Sequence, residues 1–154
     1  MQKKKVDLTG AKILVVDDVP NNLDVLCPLL EEAGYRLYVA NNGATALTLA
    51  NKLCPDLILL DVMMPDMNGY DVCAHLKTEE KTRHIPVIFL SAQNDEQSLV
   101  RGFEVGGVDY VSKPFRKIEL LARIQNHLTL ARLLYEFELQ VEAHSRELIK
   151  ENEI

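Results

Sequence analysis

The sequence predicts an α/β fold, a doubly wound sheet of five parallel strands with an extended last helix. Three observations predict it. Leu57-Ile58-Leu59-Leu60 is an unbroken aliphatic run ending on Asp61, and a run that short and apolar reads as a strand buried on both faces. Such runs recur, each followed by a stretch with helical spacing, so that the strand-helix unit repeats five times. Strands alternating with helices at this interval make a parallel sheet with helices on both faces, and right-handed crossovers restrict its topology.

Lys12 to Val16 is the first strand, and it ends in Asp17-Asp18. Pro20 suits the first position of a helix. Leu23, Leu26, Cys27 and Leu30 continue at helical spacing to a stop at Gly34. Tyr35 to Ala40 is the next strand. Gly43 opens a helix with Ala46, Leu47, Ala50 and Leu53, and Pro55 ends it. After Leu57 to Leu60 come the punctuating Pro65, Asn68 and Gly69. A third helix, Tyr70 to Lys77, carries Val72, Cys73 and Leu76. Val87 to Leu90 is a further buried strand, closed by Ser91. Asp95 to Glu104 reads as a helix with Leu99 and Phe103 inward, broken by Gly106-Gly107. Val108 to Val111 is a weaker strand, and from Lys117 onward the chain is helical.

A 154-residue chain that is 47% hydrophobic and 26% charged has enough material for one domain with a real core. No apolar run approaches the ~20 residues of a membrane span, and Lys3, Lys4 and Lys5 lead into no apolar segment of a signal peptide. A formal net charge of -6 argues against a general nucleic-acid surface. Cys27, Cys54 and Cys73 are odd in number and lack metal-site spacing, which fits reduced thiols in the cytoplasm. Cys27 shares the stripe of Leu23, Leu26 and Leu30, so it is expected in the core.

In a parallel sheet the ends of these strands converge on one edge, where open α/β folds bind ligands. That edge collects Asp17, Asp18, Asp61, Ser91 and Lys113. Clustered carboxylates are costly unless a cation or proton is shared among them. Hard oxygen ligands open to water suit Mg²⁺, with Mn²⁺ as a substitute. Lys113 offers a charge to an anion and Ser91 a hydroxyl. Taken singly, each has a structural explanation: an Asp as helix cap, a Ser in a turn, a Lys on the surface. Their joint placement fits a site that makes and holds an acyl phosphate on Asp61.

The motifs Ile13-Leu14-Val15-Val16-Asp17-Asp18, Leu59 to Gly69, Ser91-Ala92 and Asp109-Tyr110-Val111-Ser112-Lys113-Pro114-Phe115 together resemble the receiver domain of two-component response regulators. The resemblance covers about residues 10 to 128. It implies a flavodoxin-like strand order of 2-1-3-4-5. It implies Asp61 as phosphoacceptor, with Asp18 and Asp61 as direct metal ligands, Asp17 nearby and often acting through water, and the Met63 backbone carbonyl completing the protein ligands. Lys113, Ser91 and the Ala92 N–H would bind the phosphoryl group, Lys113-Pro114 would be a cis peptide, and Ser91 and Tyr110 would form the switch. The switching surface would be the helix near residues 95 to 104, the fifth strand and the helix from Lys117. Met63 and Gln93 would tune dephosphorylation. The donor would be a sensor histidine kinase or a phosphotransfer protein, and the chain would be no enzyme beyond its own phosphorylation and dephosphorylation.

Two other uses of the fold fit less well. A haloacid-dehalogenase-like phosphatase needs a second acid two residues after its nucleophile, where this chain has Met63. A flavodoxin cradles phosphate in its first loop, where Asp17-Asp18 would repel it.

Residues 1–10 read as a tail, 11–128 as the receiver unit, and 129–154 as an extended helix or coiled-coil linker. Leu121, Ile124 and Leu128 form a stripe to pack on the sheet. Leu130, Leu134, Phe137, Val141, His144 and Leu148 then alternate four- and three-residue steps, a heptad seam. From Ala131 to Ile154 three basic residues face six Glu, a local charge of -3 that suits neither nucleic acid nor membrane. A homodimer is expected through the 95–128 face, the terminal helix or both. The helix reads as a stalk to an output domain such as a cyclic-dinucleotide enzyme, phosphatase or kinase. The alternative is a stand-alone regulator whose helix binds a partner.

Overall fold

The computed structural model describes residues 7–93 and 95–151. The lysine trio and the last three residues of the stalk lie outside them. The elements run β1 (Lys12–Val16), α1 (Pro20–Glu32), β2 (Arg36–Ala40), α2 (Gly43–Leu53), β3 (Leu57–Asp61), α3 (Gly69–Thr78), β4 (Val87–Ser91), α4 (Glu96–Glu104), β5 (Asp109–Ser112) and α5 (Lys117–Glu151). All five strands pair in parallel in the order β2-β1-β3-β4-β5. Asn42, Asn68 and Asp95 cap α2, α3 and α4 by accepting the backbone N–H three residues on.

Alternation along the strands divides the core in two. Leu14, Val16, Ile58, Leu60, Val87 and Phe89 face α2 and α3, meeting Ala46, Ala50, Val72, Cys73 and Leu76. Ile13, Val15, Leu57, Leu59, Ile88, Leu90 and Val111 face α1 and α5, meeting Leu26, Leu30, Leu120, Ile124 and Leu128. Every residue of β3 and β4 is buried, which is why these strands read as continuous apolar runs.

Three packing details differ from the sequence expectation. Phe103 is 51% exposed, because Gly102 takes the inward position of α4. A Cβ at Gly102 would lie 3.1 Å from both the Phe89 and Tyr110 rings, so the next residue is turned about 100° away. Leu120, not Leu121, leads the buried stripe of α5 with Ile124 and Leu128 at four-residue steps. Cys27 is only half-buried, whereas Cys73 is fully buried and its thiol meets the Val105 carbonyl.

The loop after β3 depends on a close backbone approach at Gly69. Its N–H donates to the Val62 carbonyl at 2.9 Å. A Cβ there would stand 2.4 Å from the Asp61 carbonyl oxygen and 2.9 Å from Val62 Cα. Neither atom can swing aside. Gly69→Ala is therefore expected to lower Tm by roughly 5–10 °C, from about 2–3 kcal/mol of backbone displacement. A thermal melt within a degree of wild type would contradict this.

Beyond Leu128, α5 continues without interruption to Glu151. Leu130, Leu134, Phe137, Val141 and Leu148 are all exposed along it. Among the described residues no helix is long and apolar enough to cross a membrane.

Candidate functional site

Register explains how the acidic residues meet. Val16 of β1 pairs with Leu60 of β3, so the residues that follow, Asp17 and Asp61, emerge side by side. Asp61 pairs with Leu90, and Ser91 pairs with Ser112 of β5, which places Lys113 just beyond. Asp17, Asp61 and Ser91 are buried, at 1%, 4% and 0% exposure.

Carboxylate oxygens of Asp17, Asp18 and Asp61 lie within 4.8 Å of one another. Lys113 Nζ is 3.3 Å from Asp17 Oδ2 and 3.5 Å from Asp61 Oδ1. One ammonium thus pairs with two of the three carboxylates. Asp17 Oδ1 accepts the Val19 N–H at 2.9 Å, and Asp17 Oδ2 accepts the Asn22 amide at 3.0 Å. The Met63 N–H donates to Asp61 Oδ1 at 3.3 Å. Neither aspartate caps α1, whose N-cap is Val19 with no side-chain bond. Burial drives the Asp61 carboxyl up to about 6, against the pull of Lys113 and with a further push from Asp17.

Asp18 supplies the clearest observation in favour of a cation. Among the described residues its Oδ1 is a buried side-chain oxygen with no hydrogen-bond partner, a costly condition for a carboxylate. Three oxygen donors with a negative excess and one unsatisfied atom fit a hard divalent cation.

Ser91 Oγ accepts the Gln93 N–H at 3.0 Å, while Ala92 and Gln93 themselves are exposed. Met63 stands 58% exposed beside the cluster. The Lys113-Pro114 peptide is cis. Tyr110 points inward, and its hydroxyl donates to the Gln93 carbonyl at 2.7 Å. Burial raises that hydroxyl to about 12, so it stays protonated and able to donate.

Every predicted site residue stands at or beside this edge. Two participants escaped the sequence reading. Asn22 lies on the polar side of α1, where periodicity marks nothing. Tyr70 packs as core, yet its hydroxyl donates to the Ser98 carbonyl at 3.1 Å and lies 3.4 Å from the Tyr110 oxygen. Arg101 of α4 lies 4.6 Å over the Tyr70 ring, a cation–π contact. A cavity of about 680 Å³ is found at the opposite end of the sheet, where Leu8, Ile85 and Pro86 face Leu128, Leu134 and Tyr135. It shares no residue with the acidic cluster.

Known proteins match most of the chain. Residues 13–125 match the family described as response regulator receiver domain. The response regulator PleD of Caulobacter vibrioides is 41% identical over 139 residues, covering 90% of this chain and 30% of PleD. The phosphate regulon transcriptional regulatory protein PhoB of Escherichia coli is 43% identical over 114 residues, covering 74% of this chain and 50% of PhoB. The chain therefore spans between about 30% and 50% of the length of these relatives. Among solved structures, the receiver domain of a Pseudomonas aeruginosa sensor histidine kinase, with a magnesium ion coordinated in its active site cleft, superposes with a TM-score of 0.74 at 30% identity, covering 79% of this chain and 99% of that one. The signal receiver domain of a Syntrophus aciditrophicus histidine kinase gives a TM-score of 0.73 at 37% identity over 78% of this chain and 91% of its own. With the parallel 2-1-3-4-5 sheet and its acidic edge on one side and these matches on the other, the chain belongs to the response regulator receiver domain family.

Proposed function

We propose that this receiver takes a phosphoryl group on Asp61 from a histidine kinase or phosphotransfer protein in the cytoplasm and converts it into a change of surface. One observation carries the reading: a buried carboxylate at a strand end, beside a lysine and an acid with an unsatisfied oxygen. In this mechanism an Asp61 oxygen attacks phosphorus in line and the bond to the donor's nitrogen or oxygen breaks. Lys113 leaves its carboxylate partners to pair with the phosphoryl oxygens. Ser91 Oγ and the Ala92 N–H bind another. Asp17, Asp18, Asp61 and the Met63 carbonyl would hold Mg²⁺, which when bound supplies the charge that offsets the dianion. The test is incubation with acetyl phosphate and Mg²⁺, read by intact mass and light scattering. An unmodified chain of unchanged size would sink both the chemistry and the switch.

The phosphate's lifetime is set at Met63 and Gln93. Met63 is exposed beside Asp61 and cannot hydrogen-bond an attacking water. Met63→Asn is expected to speed dephosphorylation by about tenfold, because its amide can hydrogen-bond and orient the attacking water. An unchanged decay of the phosphorylated protein would remove Met63 from this role.

The readout runs through Tyr110 and the face of α4, β5 and α5. Tyr110 links the loop after β4, through Gln93, to Tyr70 and so to α4 through Ser98 and Arg101. On α5, Arg123 and His127 both hold Asp109 of β5, at 2.8 and 3.0 Å. These two residues stand one heptad before Leu130 and Leu134, so the switching face and the exposed seam lie on one side of a single helix. Residues 11–128 act as the receiver unit and 129–154 as a dimerising stalk to an output activity.

A further inference from the structure

We propose that Asn22 is a positioning residue of the acidic site: its amide holds the Asp17 carboxylate in place against the competing pull of Lys113. The inference rests on the receiver reading given above. Asp17 is almost fully buried and has three donors. The Val19 N–H reaches Oδ1, while the Asn22 amide at 3.0 Å and Lys113 Nζ at 3.3 Å share Oδ2. A carboxylate only accepts, so it is the amide nitrogen of Asn22 that faces it.

The two donors on Oδ2 differ in what they do to a metal site. Lys113 brings a positive charge and also reaches Asp61 at 3.5 Å, so it draws Asp17 toward itself and opposes a cation. Asn22 is neutral. It satisfies the same oxygen without charge, and it remains when Lys113 moves to a phosphoryl group. The placement of Asn22 is firm. It lies in the first turn of α1, which Pro20 starts and which Leu26 and Leu30 anchor to the sheet.

Partners of metal ligands fix their orientation, and losing one costs roughly 10–100-fold in affinity. Mg²⁺ titrated by isothermal titration calorimetry into the full, unphosphorylated chain, with no phosphodonor present, tests this directly. Asn22→Leu keeps the branching and the heavy-atom count and removes the donor. It should raise the Kd for Mg²⁺ about tenfold and leave the metal-free Tm close to wild type. In a Lys113→Ala background the pull on Asp17 is gone, so Asn22→Leu should cost clearly less there. Equal costs in both backgrounds, or a wild-type Kd for Asn22→Leu, would overturn the role of Asn22. Asp17→Asn separates the two levels. If it weakens Mg²⁺ binding while Asn22→Leu does not, only the Asn22 inference fails. If Asp17→Asn binds Mg²⁺ like wild type, the acidic-site reading itself fails.

Discussion

Asp61→Asn is expected to abolish phosphoryl uptake from acetyl phosphate while making the metal-free protein more stable at neutral pH. The first effect follows from chemistry. An amide is no nucleophile toward phosphorus, and in the proposed mechanism the neighbouring carboxylates, Asp17 and Asp18, serve the cation. Intact mass after incubation with acetyl phosphate and Mg²⁺ reads it out, and any uptake by the variant would move the acceptor elsewhere.

The second effect follows from burial. The Asp61 carboxyl is raised from its ordinary 3.8 to about 6, by burial first, with Lys113 opposing and Asp17 adding. Between those two values the folded protein binds more protons at Asp61 than the unfolded chain. Its contribution to stability therefore falls as pH rises through that window and stays low above it. The ionised acid costs the metal-free fold on the order of 2 kcal/mol at neutral pH. Asn resembles the protonated acid in shape and carries no charge. The variant should melt about 4–8 °C above wild type at about pH 7.5 without Mg²⁺, and the gain should vanish below about pH 4, where both forms of wild type are protonated. A gain that persists in acid would mean that packing, not charge, is responsible.

Replacing both Leu134 and Val141 by Glu is expected to keep the beryllofluoride-treated chain monomeric where wild type dimerises. The two side chains are 59% and 48% exposed, and a two-stranded coiled coil would bury them at alternating seam positions. Each contributes about 1.5–3 kcal/mol when fully buried. Four such side chains across a dimer are worth roughly 6 kcal/mol, about four orders of magnitude in association. Leu139→Glu is the control: Leu139 is also exposed, at 47%, but it lies off the seam and should leave the dimer intact. Sedimentation of the three proteins decides it. If Leu139→Glu dissociates the dimer equally, general hydrophobicity and not the heptad drives assembly. A wild-type chain that stays monomeric would remove the stalk from the mechanism.

Much of this protein was legible before its structure. Strand and helix types followed from period and punctuation, because β3 and β4 are buried on both faces and every residue in them must be apolar until the chain reaches the edge. Asp61 was conspicuous for the same reason: it is the first polar residue after such a run. The acidic cluster followed from parallel topology, since equal strand polarity brings all the carboxyl ends to one side.

The structure alone decided what depends on neighbours distant in sequence. Phe103 faces outward because Gly102 must fit against Phe89 of β4 and Tyr110 of β5. Leu120 rather than Leu121 is buried because packing on the sheet sets the rotation of α5 about its own axis. The unsatisfied oxygen of Asp18, the sharing of Asp17 between Asn22 and Lys113, and the hydroxyl contact between Tyr70 and Tyr110 are distances of a few ångströms. Hydrophobic periodicity reports which side of an element meets the core. Hydrogen bonds among polar groups are set by the three-dimensional meeting of elements, and one-dimensional pattern does not encode them.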